Sequence, residues 1–249
     1  MSSAHVAVDL DDTDGLLEAD RDGLLRSAAT AGAQVRATAA AVEEGACEFL
    51  ASDQRPRTVI WLAGRGPAES AGAMLAASLG PAAVEPIVTA AQVPPWIGPL
   101  DVLVIAGDDP GDPVLVSAAA TAVRRGARVV VAAPFEGPLR DATAGRATVL
   151  APRLPVPDEF GLSRYLAAGL AAFGAVDPAL RTDLGALADE LDAEALRNSA
   201  VREVFTNPAK ALAERIAGRQ TVLAGDGPAT LALARHAGAV LLRVGGRPV

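Results

Sequence analysis

The chain has 249 residues, enough for one large domain or two ordinary ones with a sizeable core. Its net charge of −8 and pI near 4.8 exclude nucleic acid as the main partner, because a phosphate backbone needs a basic face. No stretch is long and apolar enough to suggest a membrane span, the opening MSSAHVAVDLDDTD lacks the regions of a secretory signal, and the lone Cys47 forbids an internal disulfide and fits a reducing cytoplasm.

Residues 1–19 read as an acidic, disordered leader, with His5 in a mobile tail. From Leu24 the apolar residues step at helical spacing through Ala28, Ala31, Val35, Val42 and Phe49, predicting one amphipathic helix to about residue 52, with Cys47 on its apolar side. Five apolar runs follow: TVIWLA at 58–63, VEPIV at 84–88, DVLVIA at 101–106, ARVVVAA at 127–133 and ATVLA at 147–151. Unbroken β-branched runs, rather than alternating ones, predict strands covered on both faces, as in a parallel sheet between helices. Helices are expected at 67–79 and 113–125, the second opened by Pro113 and stopped by Gly126. The spacing predicts a doubly wound α/β domain over residues 20–158.

The three prolines of PRLPVPD at 152–158 mark a linker, and 159–206 reads as a helical connector interrupted near Asp177-Pro178. Asn207 and Pro208 supply the N-cap and first residue of a further helix, which is expected to stop at Gly218. A strand TVLAG, a helix at about 228–237 and a strand AVLLRV are expected after it. Residues 207–249 thus read as the start of a second α/β domain, cut short after two strands.

One string occurs twice. LAGRGPA at 62–68 and LAGDGPA at 223–229 share six of seven letters. A glycine corner between strand and helix lets backbone amides approach an anion, and the helix dipole favours negative charge there. Gly64 and Gly66 supply the corner and Arg65 a charge-assisted contact to phosphate. The dinucleotide fingerprint is not met, since Glu69 stands where its third glycine belongs. Without a ligand, the same glycines would serve only a tight turn.

These stretches resemble the sugar isomerase (SIS) domain family, and most of all its bifunctional phosphoglucose/phosphomannose isomerases. The resemblance rests on TVIWLAGRGPAESAGAMLA, DVLVIAGDDPGDPVLVSAAATAVRRGARVVVAA, LPVPDEFGLSRYLAAGL and NPAKALAERIAGRQTVLAGDGPA. It implies tandem doubly wound domains with a five-stranded parallel sheet, a phosphorylated sugar as ligand, no required cofactor, and a homodimer. The ligand-binding residues it implies are Gly64, Arg65, Gly66, Ser70, Asp108, Asp109, Asp112 and Arg164.

At four polar positions the chain departs from that pattern. Ala68 replaces a phosphate-binding serine, with Ser70 nearby. Gly107-Asp108-Asp109-Pro110-Gly111-Asp112 replaces a hydroxyl-rich phosphate loop. Each close carboxylate–phosphate pair costs about 4 kcal/mol at an effective dielectric of 20. Phe160 stands where an arginine is expected, between Arg153 and Arg164, and Leu242 where the proton-moving glutamate is expected. A leucine is no general base. The expectation is a sugar-phosphate-binding protein whose aldose–ketose interconversion is lost or altered.

Three alternatives stand beside it. One is a non-catalytic regulatory or scaffold dimer. Another is Mg²⁺ held by Asp108, Asp109 and Asp112 and bridging to phosphate. The third is a Mg²⁺-dependent haloacid dehalogenase-type phosphatase, because Asp9-Leu10-Asp11-Asp12-Thr13 matches its D-x-D-x-T motif and GDDPGD its last acidic motif. His236 reads as a surface or interface residue, Trp61 and Trp96 as packing, and Arg202 and Glu203 as free acid/base candidates.

Overall fold

The computed structural model describes residues 8–51 and 54–246. His5 and the run AHVAV therefore lie wholly or largely outside the described residues. The chain begins with three helices, α1 (Thr13–Ala19), α2 (Leu24–Ala28) and α3 (Ala31–Glu43). It then alternates β1 (Thr58–Ala63), α4 (Pro67–Leu79), β2 (Ile87–Ala90), β3 (Asp101–Ala106), α5 (Pro113–Arg124), β4 (Arg128–Ala132), α6 (Gly137–Thr143) and β5 (Ala147–Val149). Four helices close it: α7 (Leu162–Val176), α8 (Leu184–Arg197), α9 (Pro208–Ile216) and α10 (Pro228–Arg243).

The strands form one five-stranded sheet in the order β2-β1-β3-β4-β5, every pairing parallel. Five strands form where five were expected, though the second is shifted from 84–88 to Ile87–Ala90 and is only half-buried at the sheet edge; for the central strands the reason is visible in their side chains. Val59, Trp61, Val102, Val104 and Val130 pack on one face with residues of α4 and α7. Ile60, Leu62, Leu103, Ile105, Val129 and Val131 pack on the other with α5 and Leu139 of α6. A strand covered on both sides needs apolar residues at every position, which gives the unbroken β-branched signal. An outer set of Val35, Ala167, Leu184 and Ala188 joins α3, α7 and α8.

Two glycines let large groups meet over β1. A Cβ on Gly72 would lie 2.2 Å from the Trp61 ring, and one on Gly169 would lie 2.2 Å from Leu75. Trp61 is thereby sealed between α4 and α7, and its indole N–H donates to Ala68 O at 2.9 Å.

Several expectations need correction. The long helix over 24–52 is broken at Ala29-Thr30 and ends at Glu43, because Gly45 turns left-handed (φ 91°) and Ala46 N–H donates back to Ala41 O at 3.0 Å. Cys47 therefore lies beyond that helix, buried before a short 3-10 turn, where burial pushes its thiol pKa up. Residues 8–19 are ordered rather than a disordered leader: Asp12 caps α1 through Gly15 N–H at 3.0 Å. Asp11 also accepts Val204 N–H at 2.7 Å, and Thr13 Oγ1 donates to Ala200 O at 3.3 Å.

The expected strands TVLAG and AVLLRV do not form. Residues 221–225 are irregular, and the second run lies in α10 and just past its end. No neighbouring strand stands beside 221–225 among the described residues, and a lone extended segment leaves its ladder groups unpaired. The run from Pro228 is rich in alanine and leucine, which favour helix, and α10 packs along α4. The two heptamers accordingly differ in shape: Gly66 has φ 78°, whereas its counterpart Gly227 is extended at φ −148°.

Candidate functional site

In this strand order the chain builds β2 on one side of β1 and β3 on the other. Such a reversal leaves a crevice beyond the carboxyl ends of the strands, where ligands of doubly wound sheets sit. Here it is formed by the corner after β1 and the loop after β3. Gly64 N–H donates to Ala106 O at 2.8 Å, and a Cβ on Gly64 would come within 4.0 Å of Asp112 Oδ2, so the two loops abut. Gly66 takes the left-handed conformation that delivers Pro67 to the first turn of α4, and no side chain caps that turn.

Beside the corner lies an open cleft of about 610 Å³, lined among others by Gly64, Arg65, Glu69, Thr89 and Asp112. Arg65 is exposed there and makes no ion pair among the described residues. The expected ligand residues Gly64, Arg65 and Asp112 are thus brought together. Gly66 adjoins them, while Ser70 is half-buried on α4 and is not among the residues lining the cleft.

The acids of the β3 loop have separate duties. Asp109 Oδ1 accepts Gly111 N–H at 2.7 Å within the loop, and Asp112 Oδ1 caps α5 through Val114 N–H at 2.8 Å. Asp108 turns the other way, toward α7. It pairs with Arg164 and accepts the Tyr165 hydroxyl at 2.7 Å, while Arg164 donates to the Tyr165 oxygen at 2.7 Å and stacks over its ring. The three carboxylates therefore do not share one pole, and the described residues contain no group of three metal-ligating side chains. Burial pushes the Tyr165 phenol up to about 12, and the neighbouring Arg164 only partly offsets it. Tyr165 was not among the residues expected here, although it is the chain's only tyrosine and directly follows Arg164.

Arg65, Arg153 and Arg164 do not converge. Arg153 holds Glu44 by two hydrogen bonds of 2.8 and 2.5 Å in an exposed pair. Arg153 and Arg164 do share the wall of a small, partly open cavity of about 20 Å³ with Gln34 and Tyr165. Gln34 donates to Thr30 Oγ1 and to Phe160 O, both at 3.1 Å, and its buried Oε1 accepts nothing among the described residues. Phe160 thus contributes a carbonyl where an arginine had been expected.

Arg243, in the last turn of α10, is a further cation missed by the sequence reading. Its Nη1 lies 3.4 Å from where a Gly66 Cβ would be, and its Nε lies 3.7 Å from Glu159. Leu242 is on the same helix and half-exposed. His236, also on α10, is partly buried, which lowers its pKa. Arg202 and Glu203 are exposed and do not line the cleft. Asp9 Oδ1 accepts Asp11 N–H at 2.9 Å, so the D-x-D-x-T acids serve turns, a helix cap and the tie to Val204.

Among solved structures, a chain from Silicibacter pomeroyi DSS-3 described as a "putative phosphosugar isomerase" matches with a TM-score of 0.55 at 19% sequence identity. This chain shares its fold. The match covers 70% of the present chain and 57% of the neighbour, so the chain spans less than two thirds of it. No family model matches the sequence, and no curated protein matches it significantly. The five-stranded parallel sheet between helices is therefore a phosphosugar-isomerase-like fold. No helix among the described residues is long and apolar enough to cross a membrane.

Proposed function

We propose that the chain binds a phosphorylated sugar in the cleft beside Gly64, and that its aldose–ketose chemistry is lost or altered. The observation that carries this reading is Arg65: an exposed guanidinium without an ionic partner among the described residues, at the mouth of a cleft of about 610 Å³. The uncapped first turn of α4 adds positive potential for the phosphate. Glu69, Thr89 and Asp112 offer acceptors that suit sugar hydroxyls. Gly66, Ser70, Asp108, Asp109 and Arg164 belong to the implied ligand set only in a second rank, since they do not line the cleft.

Interconversion of an aldose and a ketose moves a proton between adjacent carbons through an enediolate, and it requires a base within hydrogen-bond reach. Leu242, where the resemblance implies that base, supplies none. A proton acceptor would have to come from Glu69 or Asp112 of the cleft wall, so altered rather than ordinary isomerase chemistry is expected. The fold likeness supports the ligand class, and the site acids support the altered chemistry. The reading places the protein in the cytoplasm as a homodimer, in keeping with its single cysteine and the apolar residues exposed on its C-terminal helices.

Calorimetric titration with fructose 6-phosphate and glucose 6-phosphate tests the reading. Replacing Arg65→Gln should weaken binding about 10- to 100-fold, the value of a charge-assisted contact of about 1.5–3 kcal/mol. Equal affinity in wild type and variant would remove Arg65 from the site and the cleft reading with it. A coupled assay showing turnover at ordinary isomerase rates would overturn the loss of the base.

A further inference from the structure

We propose that Asp108 is an internal counter-anion occupying a latent oxyanion site formed by Arg164 and the Tyr165 hydroxyl. A free oxyanion can enter this second site only where the Asp108 carboxylate has left it. The site lies at the carboxyl end of β3, on the α7 side, and none of its three residues lines the cleft that holds Arg65.

Arg164 and Asp108 are 13% and 21% exposed, so this pair is largely withdrawn from water at the end of the sheet where ligands gather. The planar fork of arginine accepts carboxylate and phosphate oxygens in the same geometry, which makes the Asp108 carboxylate chemically replaceable by a small oxyanion. The Tyr165 hydroxyl supplies a further donor, at 2.7 Å from Asp108 Oδ1.

A comparison within the molecule separates this pair from structural ones. At the opposite end of β3, buried Asp101 pairs with Arg57 but also accepts Gly98 N–H at 2.8 Å. Its carboxylate is therefore part of the backbone framework. Among the described residues, the bonds recorded for the Asp108 carboxylate come from two side chains of α7, with no backbone N–H. It can be withdrawn or replaced without undoing a turn or a cap. Removing only the acid leaves Arg164 as a poorly solvated charge in need of a partner.

Space points the same way. The cavity of about 20 Å³ beside Arg164 and Tyr165 suffices for one water and not for a phosphate. Room for an oxyanion at the guanidinium must come from the volume that the Asp108 carboxylate fills.

The test compares phosphate-dependent melting of wild type, Asp108→Ser, and Asp108→Ser with Arg164→Met. Inorganic phosphate should raise the melting temperature of the serine variant by several degrees more than that of wild type, and the double variant should respond as wild type does. No extra shift in the serine variant, or an equal extra shift in the double variant, overturns the proposal. If the serine variant does not fold, the Nε–Hε NMR signal of Arg164 in a second variant decides. On addition of millimolar phosphate to Asp108→Ala, prepared in place of the serine variant, it should move, and a signal that stays in place there overturns the proposal. This inference rests on the cleft reading only for the control: that reading expects weaker binding in Arg65→Gln and unchanged binding in Arg164→Met, so failure of this proposal and failure of the cleft reading are distinguishable.

Discussion

Tyr165 is the one tyrosine of the chain, so tyrosinate absorbance reports on it alone. Its ring is buried, and loss of solvation holds the phenol proton to about 12 in the folded protein. An unfolded chain releases that proton near 10. Between these values the folded state binds the extra proton, so stability is complete below about pH 10 and falls as pH rises toward 12, by up to about 3 kcal/mol. A spectrophotometric titration should show the absorbance step near 12, and Tyr165→Phe should flatten the alkaline stability slope. A step at the ordinary value of 10 would mean that the phenol is open to water. At this scale the sequence showed residue types better than partners. Arg65 beside two glycines was legible because the contact is local. The joining of Asp108 to Arg164 was not, since 56 residues separate them and only the packing of α7 against the sheet closes the gap.

Asp112 shows how one side chain serves an element and a site with opposite effects. It caps α5 through Val114 N–H, and a capping aspartate contributes about 1 kcal/mol. It also places negative charge on the wall of the cleft beside Gly64. Asp112→Ala should therefore lower stability by about 1 kcal/mol in denaturant unfolding while tightening phosphosugar binding in calorimetry. Weaker binding by that variant would mean that the carboxylate receives sugar hydroxyls more than it repels phosphate. Element by element, the strands were readable because burial on both faces demands an unbroken apolar run, and α5 because proline and glycine bound it. The failures have equally plain causes. TVLAG carries strand-forming residues but has no neighbour to pair with, and AVLLRV is a short apolar run whose letters suit helix as well as strand. Heptamers alike in six of seven letters adopt different corners because the backbone at Gly66 answers to β1 and α4 together, whereas at Gly227 no strand precedes.

Seen whole, the molecule keeps its sheet well covered and leaves apolar surface on its C-terminal third. Phe205, Leu212, Val222, Leu231, Leu233 and Leu242 are exposed, and a shallow groove of about 420 Å³ includes Val222, Leu231 and Leu242. Single exposed leucines are ordinary, but a contiguous set marks a contact surface. Sedimentation should show a dimer for wild type, and Leu231→Glu should shift it to monomer with unchanged circular dichroism. A monomeric wild type would remove the homodimer. Within the domain, Trp61 is bonded directly behind the glycine corner and shielded by α4 and α7, whereas Trp96 stands in a surface loop. The two indoles should thus emit at separate wavelengths, the shielded one to the blue. An external quencher will reach Trp96 and spare Trp61, which leaves the protein carrying its own optical gauge of whether the corner tightens when fructose 6-phosphate is added.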